Sequence, residues 1–452
     1  MTDTEYGSAG AVVAGMRTST RLTMAMAAIA LHGAAAPLAL AREPQEIERP
    51  EVEQPATERG EAESPEREQA ETAQENAERE SRAENGAESE LAAVEQVESA
   101  AERIDMLARE ERPDRDEAGF PVRRGEIGTM DIAPDALATL LREGFGVIAR
   151  TRLAMLDHEL IRLSPPPGMR LRDARARIVA LDPAATVDLV HYYGLGLSAG
   201  GKPRRLRGAA PDQPRGTGSG AARVGMIDTA VAGHPALGNT RVAAWPQGQW
   251  PGAPVGHGTA VASILAQGGV PDILAANIFR GNAARPFTSA EVVADALEWM
   301  VGQAAPVINM SLAGPRDAVL DKLVAAAQAR GAIIVAAAGN GGPAAAPAYP
   351  AALPGVIAVT AVDKAQRVYR YANQGPYVTV AALGVDVAAA NAAGGLARFS
   401  GTSFATPRVA AWLGRCRAGG ASADQCRDRL QRAARDLGPA GRGDAYGFGL
   451  VD

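Results

Sequence analysis

The sequence predicts an α/β protein whose larger part, residues 223–452, forms a doubly wound and mainly parallel sheet, preceded by a small α+β domain. One observation is that short apolar runs alternate with helical patterns after Ala222. Runs such as ARVGMIDT, APVINMSL and GAIIVAAAGN are typical of strands buried on both faces. Many of these runs end in polar or glycine-containing turns. We therefore expect functional groups at the carboxyl ends of the strands.

The small domain is predicted over residues 121–193. Extended VRRGEIGTMDI, helical PDALATLLREG, extended FGVIARTRLAML and HELIRLSP, helical LRDARARIVALDP and extended TVDLVHYY follow one another there. This βαββαβ order indicates a ferredoxin-like domain. Residues 194–222 are rich in Gly, Pro, Ser and Arg and have no periodicity, so they are predicted to form a linker.

The N-terminal segment has the form of a secretory signal peptide over residues 1–41. Arg17 and Arg21 precede the apolar stretch MAMAAIALHGAAAPLALA, which ends in a small-x-small triplet. A membrane anchor is the alternative, but a run rich in alanine that contains histidine, glycine and proline is a poor bilayer helix. We expect a periplasmic or secreted protein without a permanent membrane span.

Residues 42–120 are predicted to be a tether rich in glutamate. Half of the 52 acidic residues of the chain lie between residues 42 and 117, and few apolar residues occur before residue 90. Such a segment buries too little apolar surface to offset its chain entropy. From Leu91 onward, apolar residues recur at helical spacing and predict one amphipathic helix. Basic residues elsewhere are scattered without interleaved aromatics, so nucleic-acid binding has no support.

The chain contains two cysteines, Cys416 and Cys426. In an exported protein they can form a disulfide across a short loop, and two free thiols are the alternative. Their spacing does not match a zinc site.

Several polar residues at predicted strand and helix ends are of the types that together activate a serine as a nucleophile. The larger domain has two histidines, His234 in a polar loop and His257 between two glycines at the start of a helix. A serine hydroxyl needs such a base, and the base needs a carboxylate to fix its tautomer. Asp228 ends the first strand, and Ser403 lies in the turn SGTSFATP. Asn340, after the strand GAIIVAAAG, is a candidate donor to an oxyanion.

The segments IDTAV, HGTAVA, AAAGN and GTSFATP, in this order, resemble the subtilisin-like serine proteases. The resemblance covers residues 223–452, and DLGPAGRGDAYGFGLVD resembles the last segment of the family. It implies a serine endopeptidase in which Asp228, His257 and Ser403 form the triad and Asn340 stabilises the oxyanion. It implies no required cofactor, and we assign no structural calcium site. Ala230 departs from the glycine that is usual in the family.

The same resemblance implies the substrate-binding residues. Ser311, Leu312, Ala313 and Gly314 would pair with the substrate backbone and line the pocket for the residue before the cut, and Ala348 would form its floor. These segments carry no charge, so an apolar or aromatic residue should fit, in a protein or peptide substrate.

The small domain resembles the propeptide of the family, which implies an intramolecular inhibitor. In this arrangement Tyr193 would occupy the pocket, and self-cleavage would follow it or fall within the linker. A permanent accessory domain is the alternative for this part of the chain. For the whole protein, the alternative is a non-catalytic envelope binding protein that uses the groove and the acidic arm.

Overall fold

The structure, a computed structural model, describes residues 113–195, 204–206, 222–246, 254–281 and 286–452. The predicted signal peptide and the tether as far as residue 112, with its amphipathic helix, lie outside these residues. Within the described ranges, no helix is both long and apolar enough to span a bilayer.

The first domain contains β1 (Asp114–Arg115), β2 (Pro121–Met130), α1 (Pro134–Arg142), β3 (Gly146–Leu153), β4 (His158–Ser164), α2 (Leu171–Leu181) and β5 (Thr186–Leu195). After the short β1, the elements follow the order βαββαβ. The strands form an antiparallel sheet in the order β5-β2-β4-β3. Apolar residues of the sheet and both helices, among them Ile127, Leu140 and Ile178, form its core. β1 pairs with β2, and β5 runs to Leu195.

The second domain contains two series of elements. The strands are β6 (Arg204–Leu206), β7 (Arg223–Asp228), β8 (Arg241–Trp245), β9 (Asp272–Asn277), β10 (Phe287–Ser289), β11 (Val307–Met310), β12 (Leu312–Ala313), β13 (Ile333–Ala337), β14 (Ile357–Val362), β15 (Val378–Leu383), β16 (Val387–Ala390) and β17 (Leu396–Phe399). The helices are α3 (Gly256–Gln267), α4 (Ala290–Gly302), α5 (Ala318–Ala329), α6 (Thr402–Ala418) and α7 (Ala423–Ala433).

Seven strands form the main sheet, in the order β15-β14-β13-β11-β7-β9-β8. Every neighbouring pair in it is parallel. One apolar cluster packs α4 and α5 onto the sheet, and a second packs α3 and α6. The predicted doubly wound α/β fold is therefore confirmed. The chain reverses its direction of winding at β7, so a crevice forms where β7 and β11 end.

The predicted linker, residues 194–222, includes regular structure. Its first two residues belong to β5, and β6 pairs with β17 in a three-stranded antiparallel sheet. Periodicity could not reveal a strand of three residues, because its hydrogen-bonding partner lies almost two hundred residues away in the sequence.

A disulfide joins Cys416 at the end of α6 to Cys426 in α7, with 5.9 Å between their Cα atoms. Cys426 is fully buried in the cluster that contains α3 and α6. Ser422 and Gln425 form a capping box at the start of α7. The disulfide anchors α7 to the longer helix, and the cap stabilises the first turn of α7.

Candidate active site

Asp228 and His257 meet at the crevice. Asp228 is the last residue of β7, and His257 lies in the first turn of α3. Asp228 Oδ1 lies 2.7 Å from His257 Nδ1 and accepts a second hydrogen bond, also 2.7 Å, from the backbone N–H of Thr229. Both side chains are buried. This geometry holds the imidazole with Nδ1 against the carboxylate and leaves Nε2 facing away from it.

The close approach of α3 to the loop after β7 depends on Gly258. Its backbone N–H donates to Thr229 Oγ1 at 2.7 Å. A Cβ atom on Gly258 would lie 2.3 Å from the backbone oxygen of Thr229, whereas a Cβ on Gly256 would meet nothing within 4 Å. Gly258 therefore permits the close approach of the two backbones, whereas Gly256 does not take part in it.

The other histidine of this domain lies elsewhere. His234 Nε2 is 2.9 Å from the backbone oxygen of Gly395, and its Nδ1 accepts from the N–H of Ala236 at 3.0 Å. Both ring nitrogens thus serve local structure.

Ser403 is the second residue of α6 and is completely buried. The ring of the next residue, Phe404, lies 5.1 Å from the ring of His257, so the helix start and the imidazole are neighbours. Ser403 Oγ and His257 Nε2 are both buried and have no hydrogen-bond partner among the described residues. Catalytic hydrogen bonds are often long before a substrate binds.

Asn340 is oriented by the residue before the serine. Its Oδ1 accepts from the backbone N–H of Thr402 at 3.0 Å and from Thr402 Oγ1 at 3.1 Å. Its Nδ2 is buried and has no acceptor among the described residues. The side-chain amide is therefore held by its oxygen, and its two N–H donors remain available. Sequence reasoning missed the role of Thr402, although it lies within GTSFATP beside the serine.

The predicted substrate edge lies beside this group. Ser311 Oγ is 3.4 Å from the backbone oxygen of Ser403. Leu312 and Ala313 form β12, and Gly314 exchanges two 3.1 Å backbone hydrogen bonds with Tyr349, the residue after the buried Ala348. The five predicted residues thus lie on two adjacent segments, of which the first contacts Ser403.

The end of β5 pairs with the predicted substrate edge. It pairs antiparallel with β12, with Gly194 opposite Ala313 and Leu195 opposite Leu312. On its other side it pairs with β10, with Tyr193 opposite Thr288. The first domain therefore inserts its last strand between two short strands of the second.

Tyr193 packs beside the predicted substrate edge. The strand continues past it to Leu195, and its ring packs on Gly314, where an added Cβ would lie 2.4 Å from the ring. Its hydroxyl donates to the backbone oxygen of Pro315 at 3.3 Å. Burial raises the pKa of this phenol well above its usual value. The residue is an apolar anchor, two positions before the end of the strand.

Ala230, the departure from the family pattern, is buried, and its N–H donates to the backbone oxygen of Pro254 at 3.1 Å. Its methyl group is accommodated while the contact between Asp228 and His257 is kept.

Comparisons with known proteins cover the second domain. The subtilase family pattern matches residues 220–449. A thermostable alkaline protease of Halalkalibacterium halodurans is 33% identical over 254 residues, which cover 52% of this chain and 68% of that protein. Subtilisin Savinase of Lederbergia lenta is 32% identical over 254 residues, which cover 52% of this chain and 90% of that protein.

A solved structure extends the likeness of the fold. Fervidolysin from Fervidobacterium pennivorans, described as a keratinolytic enzyme related to subtilisin, is similar with a TM-score of 0.60 and 20% identity. The match covers 75% of this chain and 61% of that one. The family pattern spans about half of the chain, and about a third of the aligned residues are identical in these two relatives. The chain therefore belongs to the subtilase family and is a subtilisin-like serine endopeptidase.

Proposed function

We propose that this endopeptidase cleaves peptide bonds with Ser403 as nucleophile, His257 as general base and Asp228 as the carboxylate that orients the base. The contact of 2.7 Å between His257 Nδ1 and Asp228 Oδ1 carries this proposal. It fixes the tautomer that has its lone pair on Nε2, the nitrogen that must accept the serine proton. Burial of the carboxylate strengthens its interaction with the imidazolium that forms.

The reaction follows from these positions. Ser403 Oγ attacks the carbonyl carbon of the substrate, and its proton passes to His257 Nε2. The carbonyl oxygen becomes an oxyanion, to which Asn340 Nδ2 donates a hydrogen bond. His257 then gives the proton to the leaving amine, so that the C–N bond breaks and an acyl-serine remains. A water molecule then attacks the acyl-serine with the same help from His257. The ester bond to Ser403 breaks, and the carboxylic acid product leaves. None of these steps requires a metal or an organic cofactor.

The groove supports binding of an extended peptide. The backbone of Leu312 and Ala313 pairs with a strand already, and strand addition reads main chain more than side chain. The uncharged segments Ser311–Gly314 and Ala348–Pro350 favour an apolar or aromatic residue before the cut.

A fluorophosphonate probe tests the catalytic proposal. We expect the processed wild-type chain to be labelled covalently at Ser403, because such probes react only with an activated serine. The Ser403→Ala chain should not be labelled. A folded wild-type chain that stays unlabelled would instead favour the alternative of a non-catalytic envelope binding protein.

We further propose that residues 113–195 act as an internal inhibitor and that the chain cleaves itself beyond Leu195. The support is that β5 lies where an extended substrate would pair, on the edge that contacts Ser403 through Ser311. A strand linked to the enzyme has a high effective concentration, so the first cut can be intramolecular. Residues 196–203 lie outside the described residues, and the exact bond is not assigned.

Refolding of the precursor over a range of dilutions tests self-processing. We expect the rate of the first cut to be independent of concentration, because nucleophile and strand belong to one molecule. Mass spectrometry should find a fragment that ends at or after Leu195 and, for an exported sample, a chain that begins near Arg42. Ser403→Ala should stay uncut. A cut in that variant without added enzyme, or full activity in an uncut wild type, would leave the first domain as an accessory domain.

A further inference from the structure

The contact between the two domains contains a buried histidine between two carboxylates. His191 lies in β5 and is buried, with its Nδ1 3.0 Å from Asp317 Oδ2 and its Nε2 3.3 Å from Asp116 Oδ2. Asp317 belongs to the second domain and Asp116 to the first. Both ring nitrogens lie within hydrogen-bond distance of carboxyl oxygens, so the arrangement is fully satisfied when both nitrogens carry protons and the carboxyls are ionised.

The second domain supplies Asp317 from a rigid position. It is completely buried, and its Oδ1 caps α5 by accepting from the N–H groups of Val319 and Leu320 at 2.9 and 3.1 Å. Asp188 of the first domain accepts from the N–H of Ala318 at 2.8 Å, while its other oxygen lies 3.3 Å from Arg175. The histidine therefore faces three carboxylates, and one of them has an arginine partner.

These groups shift the protonation of His191. Burial lowers its pKa, but the hydrogen bond and charge of Asp317, with Asp188 and Asp116, outweigh burial and raise the pKa above the usual histidine value. Ligand atoms of Asp188, His191 and Asp317 lie within 4.8 Å of one another. Each ring nitrogen of His191 lies beside a carboxylate oxygen, which is the geometry of an ion pair.

A second acidic group lies on the face of α4 that meets the first domain. Glu298 accepts from the N–H groups of Met155 and Leu156 at 2.7 and 3.0 Å, and Glu291 lies 3.2 Å from Arg123. Asp295 is half-buried one turn from each glutamate.

The surroundings of Asp295 favour its neutral form. Burial and the neighbouring Glu291 raise its pKa to about 6, with Glu298 adding to the effect and Arg162 of β4 opposing it. Asp295 would regain water if the first domain left.

We propose that these two groups form a proton-controlled interdomain latch, which holds the first domain in the groove in acid and releases it as the pH rises. The latch consists of His191 with Asp317 and Asp116, together with Asp295. It rests on the proposed inhibitory role of the first domain and specifies how that inhibition is regulated.

Rising pH weakens the contact between the domains through His191 and through Asp295 alike. A group whose pKa is higher in the complex than in the separated domains favours the complex below that pKa and loses this contribution as the pH rises through it. Asp295 weakens the contact as the pH rises towards about 6, and His191 weakens it as the pH rises through the raised pKa of its imidazole, each by the part of its shift that comes from the other domain. Neutral to alkaline pH should therefore free the groove.

The test uses a full-length Ser403→Ala chain with a recognition site for a sequence-specific protease inserted among residues 196–203. After that protease cuts the chain, retention of the first domain is measured by size-exclusion chromatography over a dilution series at several pH values. We expect its affinity to fall by about tenfold between about pH 5 and about pH 8, which corresponds to a combined difference of one pKa unit between the complex and the separated domains. No activity of the chain itself is needed, so failure of this test is distinct from failure of the proposed catalysis.

Two variants test which residue causes the pH dependence of binding. His191→Gln should remove the fall above about pH 6.5, and Asp295→Asn, which keeps the neutral form, should remove the fall below about pH 6 and bind more tightly at neutral pH. His234→Gln, outside the contact, should keep the full dependence. Circular dichroism is used to check that each variant is folded. His191→Gln alone tests the contribution of the histidine, and Asp295→Asn alone tests that of the aspartate. Retention that does not depend on pH, or an unchanged dependence in His191→Gln and Asp295→Asn, would overturn the proposal.

Discussion

Replacing His257 with alanine should lower kcat on the order of a millionfold, the size of the loss seen when subtilisin itself is deprived of its base. The serine then has no group to take its proton, while the groove that binds the peptide is unchanged, so KM should change little. Asp228→Asn should lower kcat by about ten thousandfold, because the neutral amide no longer stabilises the imidazolium. A larger loss of kcat in the His257 variant than in the Asp228 variant would distinguish the general base from the residue that orients it.

The measurement is steady-state hydrolysis of a peptide with an apolar residue before the cut. Variants that cannot process themselves are opened at an inserted site for a sequence-specific protease, as is the wild type. His234→Ala is the matched control, because it removes a histidine outside the site and should keep nearly full activity. If His257→Ala retained activity within about a hundredfold of wild type, another base would have to be sought.

Gly258→Ala should cost about 3 kcal/mol of stability and lower kcat by about a hundredfold. The added Cβ would lie 2.3 Å from the backbone oxygen of Thr229 and 2.8 Å from that of Ala230. Both atoms belong to the main chain, so no side-chain rotation relieves the contact. The start of α3 must then move away from β7, and His257 moves with it.

Gly256→Ala is the control for this prediction. It adds the same methyl group on the other side of His257, at an exposed position where nothing lies within 4 Å. Its stability and kcat should stay close to those of wild type. Chemical unfolding and peptide hydrolysis of both variants provide the comparison. Equal behaviour of the two variants would contradict the view that close backbone approach at Gly258 positions the imidazole.

The parts of the fold that could be predicted are those with local signals. The buried strand ending at Asp228 and the helix starting beside His257 each carry their pattern within about a dozen residues. The four segments that resemble the family also lie close to strand or helix ends, where a functional group has a defined direction. The doubly wound sheet follows from the alternation of such runs.

The remaining features depend on partners that are distant in sequence. β10 and β12 contain three and two residues, too few to show a period, and both pair with β5. The same pairing carries β5 through Gly194, a residue that disfavours strands on its own. The strand therefore ends two residues beyond Tyr193, at Leu195. His191 could not be recognised either, because Asp317 lies 126 residues away.

The pairing of β5 between β10 and β12 also affects the tendency of the enzyme to self-associate at high protein concentration. Unpaired strand edges act as templates for association between chains, and proteins usually shield them. In this chain one strand covers two such edges in the same molecule. Removing that strand exposes the backbone donors and acceptors of both edges at once. We therefore expect the chain to associate with copies of itself more readily once that strand has left.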